Sequence, residues 1–194
     1  IQKGKTSYNI GMRRSWLDLL SRPLTKAFSE PDEKLSIGYY FMDLNAKVTH
    51  RFSDRSKIDL SLYHGKDSWD VTDDMDDSKG DWYHEDGSYN KELTKTQLNW
   101  GNFNVALNWN YLFSPKLFAN FTAVYSHNRS KLYSLDDDRE IYPQTKKEWV
   151  WSHLEHGYTS TIYDAGYRTA FDYRPNPRHH IRFGHDYTMH LFRP

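Results

Sequence analysis

The 194-residue sequence contains no cysteine. That excludes a disulfide framework, a thiolate metal site and a dithiol redox centre. No apolar run approaches the length of a membrane-crossing helix, so any crossing would have to be made by strands. Neither sign of charge prevails, with 26 Lys+Arg against 26 Asp+Glu. No global positive field favours nucleic acid, and no nucleic-acid partner is expected. Aliphatic residues are scarce: the apolar fraction is 37% and the mean hydropathy −0.92, which would leave a soluble core thin. No nucleophile–base pair and no phosphate-cradling loop occurs, so neither catalysis nor a cofactor is expected. The chain starts at Ile1 without an initiator methionine or leader and stops at Pro194, and it reads as an internal fragment.

What is present is aromatic residues, 16% of the chain with Tyr 15, Phe 10 and Trp 7, and they fall in alternating runs. The clearest is Tyr163–Phe192, two runs about a turn at Arg174–Arg178. Tyr163, Ala165, Tyr167, Phe171, Tyr173, Ile181, Phe183, Tyr187, Met189 and Leu191 take one face. Asp164, Arg168, Asp172, Arg182 and Asp186 take the other. Earlier runs alternate likewise: Thr6–Leu20, with Arg14 breaking the apolar side, then Tyr39–Phe52, Lys57–Tyr63, Gln97–Tyr111 and Leu117–Lys131. The polar set in these runs includes Arg13, Asp43, Lys47, Asp59, Asn104 and Asn108.

Seven strands follow from this pattern, and their connections alternate in length. Ser53–Ser56, Phe113–Lys116 and Arg174–Arg178 are short; Ser21–Gly38, Lys66–Thr96 and Leu132–Thr161 are long and aperiodic. In an up-and-down sheet all short turns lie on one rim and all long loops on the other. A transmembrane β-barrel with lipid outside and a polar lumen has that asymmetry, whereas long structureless loops are uncommon in compact soluble domains. A soluble secreted β-sheet adhesion or carbohydrate-binding module is the alternative, since half-buried soluble sheets also alternate.

Several stretches in sequence order resemble the barrel of TonB-dependent outer-membrane receptors: Gly4–Tyr8, Arg13–Leu20, Tyr40–Asp54, Trp100–Asn102, Asn108–Asn110, Pro115–Phe118, Tyr125–Ser126, Phe171–Pro177, Ile181–Gly184 and Phe192–Pro194. The likeness covers nearly all of the strand sequence and little of the loops. It implies that residues 1–194 are about seven consecutive strands of an all-β, antiparallel barrel of about 22 strands. It also implies energy-coupled uptake of a scarce solute (siderophore, haem, glycan or peptide) across a Gram-negative outer membrane. The partners it implies are outer-membrane lipid, a plug domain, the remaining strands, the TonB complex acting through the plug, and a surface lipoprotein.

Three groups are site candidates. Trp82, Tyr83, Trp149, Trp151 and Tyr158 lie in the long connections, where rim aromatics grip sugars, peptides or planar ligands, or simply pack the loops. The polar alternating set, Arg13, Asp43, Lys47, Asp59, Asn104, Asn108, Asp164, Arg168, Asp172, Arg182 and Asp186, would face the lumen, either touching plug and solute or pairing across strands. Between Asp67 and Asp86 nine acidic residues face one lysine, and Asp73, Asp74, Asp76 and Asp77 offer calcium ligand types without an EF-hand spacing. His153 and His156 would share a metal only on a helix, and no helical stripe marks them.

Overall fold

The computed structural model describes residues 4–80 and 82–194. Ile1–Lys3, and Asp81 of the acidic stretch, lie outside the described residues. Seven strands form one antiparallel sheet in sequence order: β1 Thr6–Arg14, β2 Ser36–Ser53, β3 Ser56–Asp76, β4 Tyr89–Ser114, β5 Leu117–Tyr142, β6 Lys147–Asn176 and β7 His179–Arg193. The chain is thus all-β and up-and-down, with β1 and β7 at the two edges.

The three short turns are two-residue hairpins built on one device. Ser53 Oγ, Ser114 Oγ and Asn176 Oδ1 each accept the backbone N–H two residues on, from Arg55, Lys116 and Arg178. These are the local side-chain bonds that make Ser and Asn turn residues. Proline stands between donor and acceptor at positions 115 and 177, where its fixed φ suits the turn.

The other rim differs from the sequence expectation. Lys66–Thr96 and Leu132–Thr161 are not structureless; most of each is strand. β3 runs on to Asp76 and β4 begins at Tyr89, leaving only residues 77–88 between them. β5 and β6 are joined by a turn at 143–146, in which Lys146 takes a positive φ of 53°. Charges that look like a solvated run in one dimension are matched across strands. Asp76 stands opposite Lys91 and pairs with it at 3.3 Å, and Arg139 of β5 reaches Glu148 of β6 at 3.4 Å. Cross-strand opposite charges stabilise a sheet in water.

Thr6–Leu20 also proves to be two elements. β1 stops at Arg14, and Leu17–Phe28 forms α1. Leu17, Leu20, Leu24 and Phe28 recur at helical spacing, and the alternation of Tyr8, Ile10 and Met12 does not continue through them. Pro23 sits inside this helix. α1 packs beside the upper part of β2, with Ser21 Oγ donating to the Ile37 carbonyl at 2.6 Å and Arg22 paired with Asp70 at 2.7 Å. Gly38 lies beneath this pair: a Cβ there would lie 2.7–2.8 Å from the ends of the Asp70 and Arg22 side chains, which would have to shift.

The sheet is a single layer with no apolar core. Ala119 is the only buried hydrophobic residue among those described, while the buried polar ones are Asp43, Asp59, Asp76, Ser88 and Asp137. The accessible surface is 13989 Å², against about 9,700 Å² for a globular chain of 23.2 kDa.

Candidate functional site: two faces that exchange character

Pairing register decides which side chains share a face, because residues directly opposite in an antiparallel ladder point the same way. Five successive rows on one face are mostly apolar. They run from Tyr111, Ala119, Phe171 and Phe183 to Met12, Leu44, Phe103, Tyr163 and Leu191. The rows between hold Ile58, Trp109 and Phe121, then Val48, Leu60, Leu107 and Tyr167, then Ile10, Leu62, Val105 and Met189. These side chains are solvent-accessible: Leu60 is 43% and Phe183 55% exposed. Phe171 and Phe183 stack at 5.0 Å, and Trp109 lies 5.3 Å from Phe121. The band is four steps of two residues high, roughly 27 Å along the strands.

The opposite face carries all eleven members of the polar set. Arg13 pairs with Asp43. Asp59 accepts from Thr49 and is reached by Lys47 and Lys57. Asn108 and Asn104 stand in the same rows as Arg168 with Asp186 and as Asp164. Arg168 and Asp186 approach to 3.5 Å, Arg182 reaches Asp172 at 3.1 Å, and Asp164 takes Ser126 at 2.9 Å and His190 at 2.6 Å. Most of these charges satisfy one another across strands. Asp43, Asp59, Asp164 and Asp172 are the acceptors around which the pairs assemble.

Beyond Gly101 the two faces exchange character. The formerly polar face now carries Phe41 and Trp100, then Tyr39, Trp69, Leu98, Leu132 and Tyr158, then Ile37 and Val71. Tyr39 donates to Asp67 at 3.1 Å, its ring lies 6.5 Å from that of Phe41, and the Arg13 guanidinium lies 5.4 Å from the Phe41 ring. Burial together with the Asp67 bond pushes the Tyr39 phenol above its usual range. This is a shelf of flat aromatic surface with hydrogen-bonding groups at its edge, able to stack the apolar face of a sugar or planar solute.

The five expected binding aromatics do not meet there. Tyr158 joins the shelf through Leu132. Trp82 and Tyr83 lie in the 77–88 connection, with Tyr83 5.8 Å from Tyr89. Trp149 of β6 pairs with Glu140 of β5, and Trp151 sits where the β5–β6 register shifts. Trp149 and Trp151 are therefore strand residues, not loop residues. The shelf members Tyr39, Phe41, Trp69 and Trp100 are not among the binding aromatics expected from the sequence. Their signal is the alternation Asp67, Ser68, Trp69, Asp70, Val71, which the acidic composition around it masks.

The crest beyond the shelf is held by ions. The Arg139 hydrogen bonds, against the opposing cost of burial, and then His153 hold the Asp137 carboxyl at about 2. Burial disfavours the Asp76 charge, but bonds from Ser78, Lys79 and Lys91 prevail and hold it also at about 2. Asp76 is thereby occupied by cations. Asp73 and Asp74 point to opposite faces, as neighbours on a strand must, although one buried Asp73 oxygen lacks a partner. Among the described residues no group of three or more His, Asp or Glu converges on a metal position. His153 and His156 lie on opposite faces of β6, opposite Asp137 and Ser134. Comparison with protein-family models, with curated proteins and with solved structures finds no match.

Proposed function

We propose that this chain is part of an outer-membrane β-barrel of the TonB-dependent receptor type, and that its upper shelf contributes to capture of a scarce solute at the cell exterior. One observation carries the reading: a single-layer sheet that lacks a core exposes a continuous apolar band on one face and paired charges on the other. Contiguous exposed apolar surface of that extent marks a membrane or partner contact. Roughly 27 Å of strand, tilted by about 40°, spans about 21 Å between outermost rows, and their side chains extend it toward the about 25 Å band of outer-membrane barrels. Edges β1 and β7 would pair with further strands, since open edges do not stand in lipid. The charge-paired face then lines a wet lumen, and the aromatic shelf lies on that same inner side above the membrane. The likeness of the strand sequences to TonB-dependent receptors supplies the energy-coupled step through a plug.

Epitope insertion tests the orientation. Tags at Ser78 and Gln144, beyond the crest, are expected to bind external antibody on intact cells, and a tag at Asn176, in a two-residue turn, is not. Labelling at Asn176, or its absence at the other two in an assembled protein, reverses the topology. A soluble module is distinguished at once by remaining monodisperse without detergent.

A further inference from the structure

The row immediately above the apolar band is cationic. Arg14, Lys66, Arg129 and Arg193 stand in one cross-strand row on the apolar face, with Gly101 between Lys66 and Arg129. Lys131 follows one row higher on that face. The three rows centred on Gly101 carry no carboxylate on any strand that contributes to them. Among the described residues Lys66, Arg129 and Lys131 make no ion pair; Arg14 alone of the row does, to Asp18. Several dense clusters of charge elsewhere in the sheet are neutralised locally, as at Asp59, Asp76, Asp137 and Asp172.

Gly101 also shapes the surface. It leaves an open hollow of about 410 Å³, floored by Gly101 and Phe103 and ringed by Lys66, Arg129, Lys131 and His64. A Cβ on Gly101 would meet nothing closer than the Gly65 carbonyl at 3.4 Å, so the space is not required by backbone packing. We infer that this hollow is a seat for the phosphate of an anionic lipid headgroup, with the acyl chains lying down the apolar band below it. The inference rests on the proposed membrane reading and adds a partner to it. Continuity with the band selects a lipid rather than free phosphate: the cations begin one row beyond Met12, Phe103 and Leu191, at the level where a headgroup follows hydrocarbon. The band's other border is aromatic instead, with Tyr111, Phe171 and Phe183, so the cations mark one leaflet only.

The test uses the complete protein in phosphatidylcholine vesicles with or without phosphatidic acid. Insertion is read by flotation, and phosphatidic acid retained per protein is read after extraction in mild detergent. Wild type is expected to retain phosphatidic acid, and the triple variant K66Q/R129Q/K131Q to retain about ten-fold less while floating equally. Gly101→Leu keeps every cation and fills the hollow; it too is expected to lose most of the retained lipid. Equal retention by wild type and by Gly101→Leu or the triple variant overturns the seat while leaving the membrane reading intact. Displacement of the lipid by excess inorganic phosphate overturns it in favour of a free-phosphate site. Failure of the wild type to float overturns the membrane reading itself.

Discussion

On the short-turn side of Gly101 the sheet keeps apolar side chains on the face of Leu60 and charges on the face of Asp59. On the long side the same strands, without a break in pairing, carry Lys131 and Asp70 on the Leu60 face and Trp69, Trp100 and Tyr158 on the Asp59 face. A one-residue slip of register would exchange faces in this way, but the β3–β4 ladder runs from Ser56 to Asp76 without a shift. The exchange therefore lies in the sequence, where the phase of the apolar alternation changes within strands β2 to β4. A soluble sheet resting on one core has no use for such a change. A sheet whose lower half meets lipid outside and whose upper half stands in water does, because above the bilayer only the enclosed side offers shelter to aromatic groups.

The largest effect expected to break this comparison is a charge placed in the lower band. Leu60→Arg or Phe183→Arg should prevent membrane assembly, at about 2–4 kcal/mol per mid-membrane arginine. Arg182→Ser, on the other face, should assemble. Equal damage from Arg182→Ser in the same assembly assay removes the facing assignment. A second measurement sharpens the boundary between the halves. In single-tryptophan variants of the assembled protein, Trp109 should be quenched by brominated lipid and shielded from aqueous acrylamide, and Trp69 and Trp100 should show the reverse. Lipid quenching of Trp100 equal to that of Trp109 would erase the exchange at Gly101.

The smallest effect concerns the crest. Asp137 has a folded pKa of about 2 against an ordinary 3.8. Its contribution is therefore fully present above about 3.8 and is lost as pH falls through about 2. Hydrogen exchange of upper β5 and β6 should accelerate over that window while the apolar band stays protected. Asp137→Asn should loosen the crest at neutral pH and abolish the acid-dependent part. A crest that opens no sooner than the band in acid would show that these ion pairs contribute nothing to it.

Much of the lower half could be read in one dimension. Alternation at Phe103, Val105, Leu107 and Trp109 against Asn104 and Asn108 assigns strand and face without neighbours, since a strand's period is two. The serine, asparagine and proline of the short turns mark the hairpins for the same local reason. Strand number, order of faces and the all-β, up-and-down sheet were determined by the sequence itself. The upper half was not legible in that way. Asp70 and Asp76 read as part of a solvated run until Arg22, Lys91 and Lys79 are brought against them from other elements. Leu17–Phe28 lacks a capping side chain and holds a proline, so the helical spacing of its leucines and Phe28 is a weak mark until β2 receives it. Arg14 alone looks like an error in an apolar pattern. Only the register sets it in one row with Lys66, Arg129 and Arg193, each more than fifty residues from the next. Local propensity acts over a few residues, whereas a row across a sheet is assembled by hydrogen bonds between segments far apart in the chain, and the shelf and the cationic row are both rows.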